Sequence, residues 1–198
     1  MSNIWHTITD KDIENIPKQI LFKNSLDNKI QAVCQEVLRE AAARQDGYKN
    51  DEVAIIIDIN GNILGKFYGY NGVIKTDSEE YLDITLLAPS RSLILIHNHP
   101  NNSTLSYNDI IEMMADISFL GVVAVGNDGR VSSAYKIYKN DGLYSKRAIN
   151  INTRCFKYAN QFKDKADMYY KIKEDVRRYI LKHPENFGLL VRNSNHRR

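Results

Sequence analysis

Apolar residues recur at intervals of three and four along residues 26–44, at Leu26, Ile30, Val33, Cys34, Val37, Leu38, Ala41 and Ala42. That spacing draws one stripe down a helix, and it predicts an amphipathic helix with Ser25 as N-cap and Gly47 as stop. The pattern then changes. Residues 53–59 read Val-Ala-Ile-Ile-Ile-Asp-Ile, a β-branched run too short for a helix and suited to a buried strand. Asn60-Gly61 follows, the dipeptide that best tolerates the positive φ angles of a two-residue hairpin, and residues 63–68 return as a second strand.

Asp77-Ser78-Glu79-Glu80 has the form of a capping box, with Asp77 accepting from the backbone and Glu80 reaching back, so a helix is expected over 78–88, ended near Pro89. Residues 92–97 form another apolar strand. Helical spacing runs over 106–119 and onward through Ile110, Ile111, Met114, Ile117 and Leu120. Residues 122–125, the turn Asn127-Asp128-Gly129 and residues 131–138 make a closing hairpin. The order helix, hairpin, helix, strand, helix, hairpin predicts an α/β fold, a mixed β-sheet flanked by helices, over residues 25–140. An N-terminal arm, residues 1–24, precedes it. Residues 141–198 read as a basic helical C-terminal extension, chiefly one helix over 158–183 stopped by Pro184. Its apolar stripe is Phe162, Ala166, Tyr169, Ile172, Val176, Tyr179 and Ile180. No internal repeat or low-complexity segment is present.

With 198 residues, 43% hydrophobic and 26% charged, the chain has room for one compact domain and some extra helices, and the composition excludes wholesale disorder, collagen-like repeats and coiled-coil fibres. No apolar run approaches the roughly 18–20 residues that span a bilayer, and Met1-Ser2-Asn3-Ile4-Trp5-His6 does not read as a charged n-region followed by an apolar h-region, so no signal peptide is expected. A cytoplasmic protein without a membrane partner is expected. The two cysteines, Cys34 and Cys155, make neither a disulfide framework nor a Cys-x-x-Cys site. Any metal must be held by His and carboxylates. Cys34 lies on an apolar helical face and reads as a buried small hydrophobe. Cys155, beside Arg154 and Lys157 but without a partnered His, is assigned no function.

Charge is unevenly spread. Residues 1–145 carry 13 Lys/Arg and 19 Asp/Glu, a balance of −6, and residues 146–198 carry 14 and 5, a balance of +9, which together give the net +3. The basic part, with Tyr158, Tyr169, Tyr170 and Tyr179 among its cations, is a candidate surface for nucleic acid or an acidic partner. The alternative is a helix that packs its stripe on the body and solvates its charges. An oligomer is compatible with either reading.

The chemistry concentrates in residues 93–110. Side chains alternate faces on a strand, so His97 and His99 at the end of an apolar run point the same way and can share a cation. Pro100 then turns the chain out of the strand. Ser106 is a good N-cap, and Asp109 falls in the first turn of the next helix, where its carboxylate can aim back at the sheet edge. Two imidazoles and one carboxylate make a three-ligand Zn2+ shell with a position open for water. Ser106-x-x-Asp109 is equally a capping box. A proton carrier for that water would come from Asp51, Glu52, Asp58, Glu79, Glu80 or Glu112. Glu52, at the start of a strand expected in the same sheet, is best placed, its alternative being a solvated residue at a strand end. Tyr68, Gly69, Tyr70 and Gly72 read either as a substrate-facing loop or as surface turn chemistry.

His97-Asn98-His99-Pro100, then Ser106 and Asp109, preceded by a strand-borne Glu, resembles the JAMM (JAB1/MPN/Mov34) metalloprotease family, and most closely its bacterial RadC-like branch. The similarity covers residues 50–138. It implies a JAB/MPN, cytidine-deaminase-like sheet, zinc held by His97, His99 and Asp109, an oxyanion stabilised by Ser106, and Glu52 as general base and acid. The family pattern places its Asp eleven positions after the second His. Asp109 stands ten after His99, and because Ser106-x-x-Asp109 is intact the difference falls in the loop 101–105. Three readings follow. One is a zinc hydrolase that cleaves a peptide or isopeptide bond in a protein or peptide substrate. Another is a RadC-like DNA-associated accessory protein. The third is a metal-bearing scaffold without turnover.

Overall fold

The computed structural model describes residues 6–19, 21–22, 25–45, 51–69 and 74–194. Helices α1 (Asp10–Glu14) and α2 (Ser25–Ala43) lead into strands β1 (Val53–Asp58) and β2 (Ile63–Tyr68). Then come α3 (Glu79–Leu87), β3 (Leu93–His99), α4 (Tyr107–Ala115), β4 (Phe119–Gly126) and β5 (Val131–Lys136). Helices α5 (Asp141–Ala159) and α6 (Lys165–Lys182), a 3-10 turn over Pro184–Phe187 and strand β6 (Leu189–Asn193) follow.

The strands form one six-stranded mixed sheet in the order β2-β1-β3-β4-β5-β6, antiparallel throughout except for the parallel pair β3 and β4. Period-2 alternation gives each inner strand two apolar faces, as a strand buried on both sides requires. Ile55, Ile57, Ile94, Ile96, Val123 and Val125 pack against the α2 stripe of Leu26, Ile30, Val33, Val37 and Leu38. Ala54, Ile56, Leu93, Val122 and Ala124 pack on the opposite side against α4 and residues of α5 and α6. Burying one such aliphatic side chain is worth about 1.5–3 kcal/mol, against tenths for helix propensity, so burial rather than local preference holds α2 in place.

Several local expectations are corrected. Ser25 is the first helical residue of α2, not its cap. The incoming chain is fastened instead by Asp27, whose Oδ1 accepts the N–H groups of Leu21 and Phe22 at 3.1 and 3.0 Å. The expected stop, Gly47, lies outside the described residues. The β1–β2 connection is wider than a two-residue turn. Asp58 Oδ1 accepts from the backbone of both Asn60 and Asn62, and within this turn only Gly61, at φ 81°, takes the left-handed conformation. Ser78, not Asp77, caps α3, accepting from Tyr81 N at 3.4 Å. Helix α4 stops at Ala115, because Phe119 is drawn into β4 by parallel pairing with Leu93.

The largest correction lies in the C-terminal segment. The single basic helix over 158–183 is two helices. The first begins at Asp141, and Phe162 sits in the connection between them. β6 then pairs antiparallel with β5, Ala134 opposite Val191, so the sheet continues past the boundary drawn at residue 140. Tyr144, Ala148, Cys155 and Ile180 are buried in the same core as α4. Among the described residues, no helix is long and apolar enough to cross a membrane.

Candidate metal centre

Strand β3 carries the site at its C-terminal end. Leu93 and Leu95 face the α4 side, and alternation puts His97 and His99 on that same face, while Ile94, Ile96 and Asn98 face α2. Asn98 is 1% exposed and works on its own side. Its Oδ1 accepts Val53 N at 2.7 Å, and its Nδ2 donates to Asn127 Oδ1 at 3.1 Å. The residue between the two histidines thus bolts β3 to the start of β1 and to the β4–β5 turn.

After His99 the chain turns through Pro100 and Asn101, and Asn102 N donates back to His99 O at 2.9 Å. Asn102 takes a positive φ of 57°, which Asn tolerates better than most residues. Ser106 caps α4. Its Oγ accepts Asp109 N at 3.1 Å, and its own N–H donates to Asp109 Oδ2 at 2.5 Å. The capping box and the ligand geometry therefore coexist, because the cap sets the rotamer that turns Asp109 toward the sheet.

The three donors converge. His97 Nε2 and His99 Nε2 are 2.9 Å apart, His97 Nε2 lies 3.4 Å from Asp109 Oδ1, and His99 Nε2 lies 3.3 Å from Asp109 Oδ2. Bonds of about 2.0–2.1 Å at tetrahedral angles put neighbouring ligand atoms about 3.3 Å apart. The two imidazole–carboxylate spacings match that figure and the two imidazole nitrogens stand closer than it, so His97, His99 and Asp109 together form a group that can hold a metal ion. The loop between His99 and Ser106 leaves the Asp109 carboxylate within reach of both rings. Both imidazoles are buried. His99 Nδ1 is 3.1 Å from Ser103 O and 3.0 Å from Ser103 Oγ. Donation to the carbonyl leaves the Nε2 lone pair free for a cation. His97 Nδ1 is buried without a hydrogen-bond partner among the described residues.

Electrostatics follow from this crowding. Burial favours the neutral form of Asp109, but the His97 and His99 rings outweigh it and hold the carboxyl well below the usual range. Burial likewise disfavours charge on His99, and the adjacent Asp109, helped by Glu52 and the Ser103 carbonyl, raises its pKa. Glu52 precedes β1. Ala54 pairs with His97 in the antiparallel register, and Glu52 shares the face of Ala54 and Ile56, so it stands on the site's side of the sheet. Burial pushes its carboxyl up, His97 and His99 pull it down, and Asp109 raises it again, so its charge interacts with all three donors.

The other carboxylates divide. Asp58 is taken up by the β1–β2 turn, and Glu79 and Glu80 lie exposed in the first turn of α3. Asp51 is half-buried next to Glu52. Glu112, one turn beyond Asp109, is pushed up by desolvation and by Asp109. Tyr68 is exposed, with the Arg44 guanidinium 3.8 Å over its ring, while Tyr70 and Gly72 lie outside the described residues. Cys34 is buried as expected and its thiol is pushed up to about 12. Ser103 was not singled out from the sequence, since a Ser four residues after a His in a polar loop is an ordinary occurrence. No family model, no curated protein and no solved structure matches this chain.

Proposed function

We propose that the protein is a zinc-dependent hydrolase of the JAMM type that cleaves a peptide or isopeptide bond in a protein substrate. The observation that carries this reading is the convergence of His97, His99 and Asp109 at 2.9–3.4 Å, with Glu52 coupled to all three. Three protein ligands leave a coordination position open, which suits catalysis better than a structural role. Zn2+ bound there would polarise an amide carbonyl and make water nucleophilic at neutral pH.

The chain's own groups would do the rest. Glu52, its carboxyl raised by burial, takes the proton of the attacking water and returns it to the leaving nitrogen; a raised pKa suits that exchange near neutrality. The Ser106 oxygen is occupied as an acceptor by Asp109 N, and a hydroxyl can still donate its proton to a developing oxyanion. Asp109, at the positive end of α4, is favoured as an anion there whether or not a cation is bound.

The test is metal analysis of the purified protein beside His99→Ala, followed by peptide and isopeptide substrates with and without chelator. One bound Zn2+, lost in His99→Ala, with cleavage abolished by chelator and by Glu52→Gln, is the expected result. Cleavage that survives Glu52→Gln would remove that residue from the role. Metal-loaded protein inert on every substrate would favour the scaffold without turnover.

A second reading, nucleic-acid binding, is favoured by exposed Phe156, Tyr158 and Tyr170 beside Arg154, Lys157 and Lys171 on α5 and α6. Aromatic faces between cations suit stacking and phosphate contact. Part of the basic charge is already engaged, Arg177 and Arg178 on Glu174 and Lys173 on Asn108. Affinity for single strands or duplex that falls steeply with salt and drops in Arg154→Glu/Lys157→Glu would support this reading. Salt-independent retention, or none, would end it.

A further inference from the structure

The connection from His99 to Ser106 is held from outside by a helix more than sixty residues later. On α6, Arg177 grips Glu174 with a fork, Nε to Oε2 at 2.7 Å and Nη2 to Oε1 at 2.5 Å. The remaining nitrogen, Nη1, reaches across and donates to Thr104 Oγ1 at 2.8 Å and to Leu105 O at 3.2 Å. One turn earlier on the same helix, Lys173 Nζ donates to Asn108 Oδ1 at 2.8 Å. The two cations therefore touch the chain on either side of the α4 cap.

The Leu105 carbonyl and the Ser106 N–H belong to one peptide plane. Arg177 holds the oxygen of that plane, and the N–H on its other side donates to Asp109 Oδ2 at 2.5 Å. Rotating the plane would withdraw this N–H and free the carboxylate to turn from His99. Donation into the carbonyl also polarises the peptide and strengthens its N–H as a donor. Leu105 is fully buried and Arg177 half-buried, with 18% of its side chain exposed, so the bond to the Leu105 carbonyl is partly shielded from water.

We propose that Arg177, braced by Glu174, is a positioning residue for the metal centre, fastening the Leu105–Ser106 peptide so that Asp109 faces both imidazoles. This rests on the metal-binding reading above and gives α6 a task in that site. A planar fork is needed to hold Glu174 and the loop together, and a lysine ammonium offers no such fork.

The experiment is a competition titration of the full-length apoprotein with Zn2+ against a chromophoric chelator, with the visible spectrum of the Co2+-loaded protein as a second readout. Partners that orient a metal ligand typically contribute about 10–100-fold in affinity. Arg177→Ala should weaken Zn2+ binding by about tenfold or more and alter the Co2+ spectrum, and Arg177→Lys should fail to restore either. Thr104→Val, which leaves the Arg177–Glu174 pair in place, should give a smaller loss and serves if Arg177→Ala does not fold. Arg178→Ala, a surface partner of the same Glu174 that does not reach the loop, should bind as the unaltered protein does. Unchanged affinity in both Arg177→Ala and Thr104→Val, or an equal loss in Arg178→Ala, overturns the proposal. Failure of the unaltered protein to bind Zn2+ overturns the metal reading itself.

Discussion

The Nε2 atoms of His97 and His99 stand 2.9 Å apart with Asp109 oxygens 3.4 and 3.3 Å away, an arrangement in which two buried rings present the same edge to one carboxylate. A hydrogen bond between the rings needs a proton on one nitrogen and a lone pair on the other, whereas a cation uses both lone pairs and the carboxylate together. The free energy of filling this site should therefore appear as folding stability. At free Zn2+ 100 times the dissociation constant the gain is about 2.7 kcal/mol. For a chain of this size that corresponds to a rise of roughly 5–10 °C in Tm. Thermal unfolding should show this rise in the unaltered protein and none in His99→Ala; an equal rise in both would put the bound ion elsewhere.

Asn98 and Val53 offer a second test, because they tie β3 to the start of β1. Asn98→Ala leaves the Val53 N–H buried without its acceptor, which costs about 1–3 kcal/mol. Urea unfolding should show that loss. Zn2+ binding should persist, since the Asn98 side chain lies on the face opposite the ligands, while hydrolysis should fall because Glu52 is attached to the loosened end of β1. Loss of metal and of hydrolysis in equal measure would contradict this separation of faces.

Lys136 makes the stability of the fold depend on alkaline pH. It is 2% exposed, donates from Nζ to Asp116 O at 2.7 Å, and burial lowers its pKa to about 8 against the ordinary 10.5. Asp141 and Asp116 oppose that shift and Arg91 adds to it. Between pH 8 and 10.5 the unfolded chain holds the proton more firmly than the folded one, so this lysine makes stability rise with pH across that window. The rise amounts to roughly 3 kcal/mol at most. Denaturant midpoints measured against pH should show this slope relative to Lys136→Met; parallel curves for the two proteins would show that the ammonium is not desolvated.

Truncation after Asp141 would not isolate a nucleic-acid arm. It would remove β6 from the sheet edge and strip Tyr144, Ala148, Cys155, Ile180 and Leu189 from the core shared with α4. The truncated chain should unfold or aggregate, as seen by loss of a cooperative thermal transition. A cooperative, metal-binding fragment would show that residues 25–140 form the whole domain.

Much of the site was legible before any coordinates. A spacing of two on a strand puts His97 and His99 on one face whatever surrounds them, and a Ser-x-x-Asp step opening a helix puts Asp109 in its first turn. Those geometries are local, and local periodicity carries them. The capping box and the metal ligand read as rival explanations of Asp109 because sequence spacing has no direction; the folded geometry is compatible with both, Oδ2 accepting from Ser106 N while facing His99.

What stayed hidden depends on contacts between segments far apart in the chain. Arg177 meets Leu105 across 72 positions, and β6 joins β5 although its five residues carry little strand pattern. Residues 158–183 carry a stripe that one continuous helix would satisfy, yet the chain breaks between α5 and α6 so that both pack beside α4. Periodicity says which side of an element is apolar and nothing about which neighbour will cover it. That choice belongs to the whole folded core, where burying α5, α6 and the free edge of β5 together outweighs what any one segment prefers by itself.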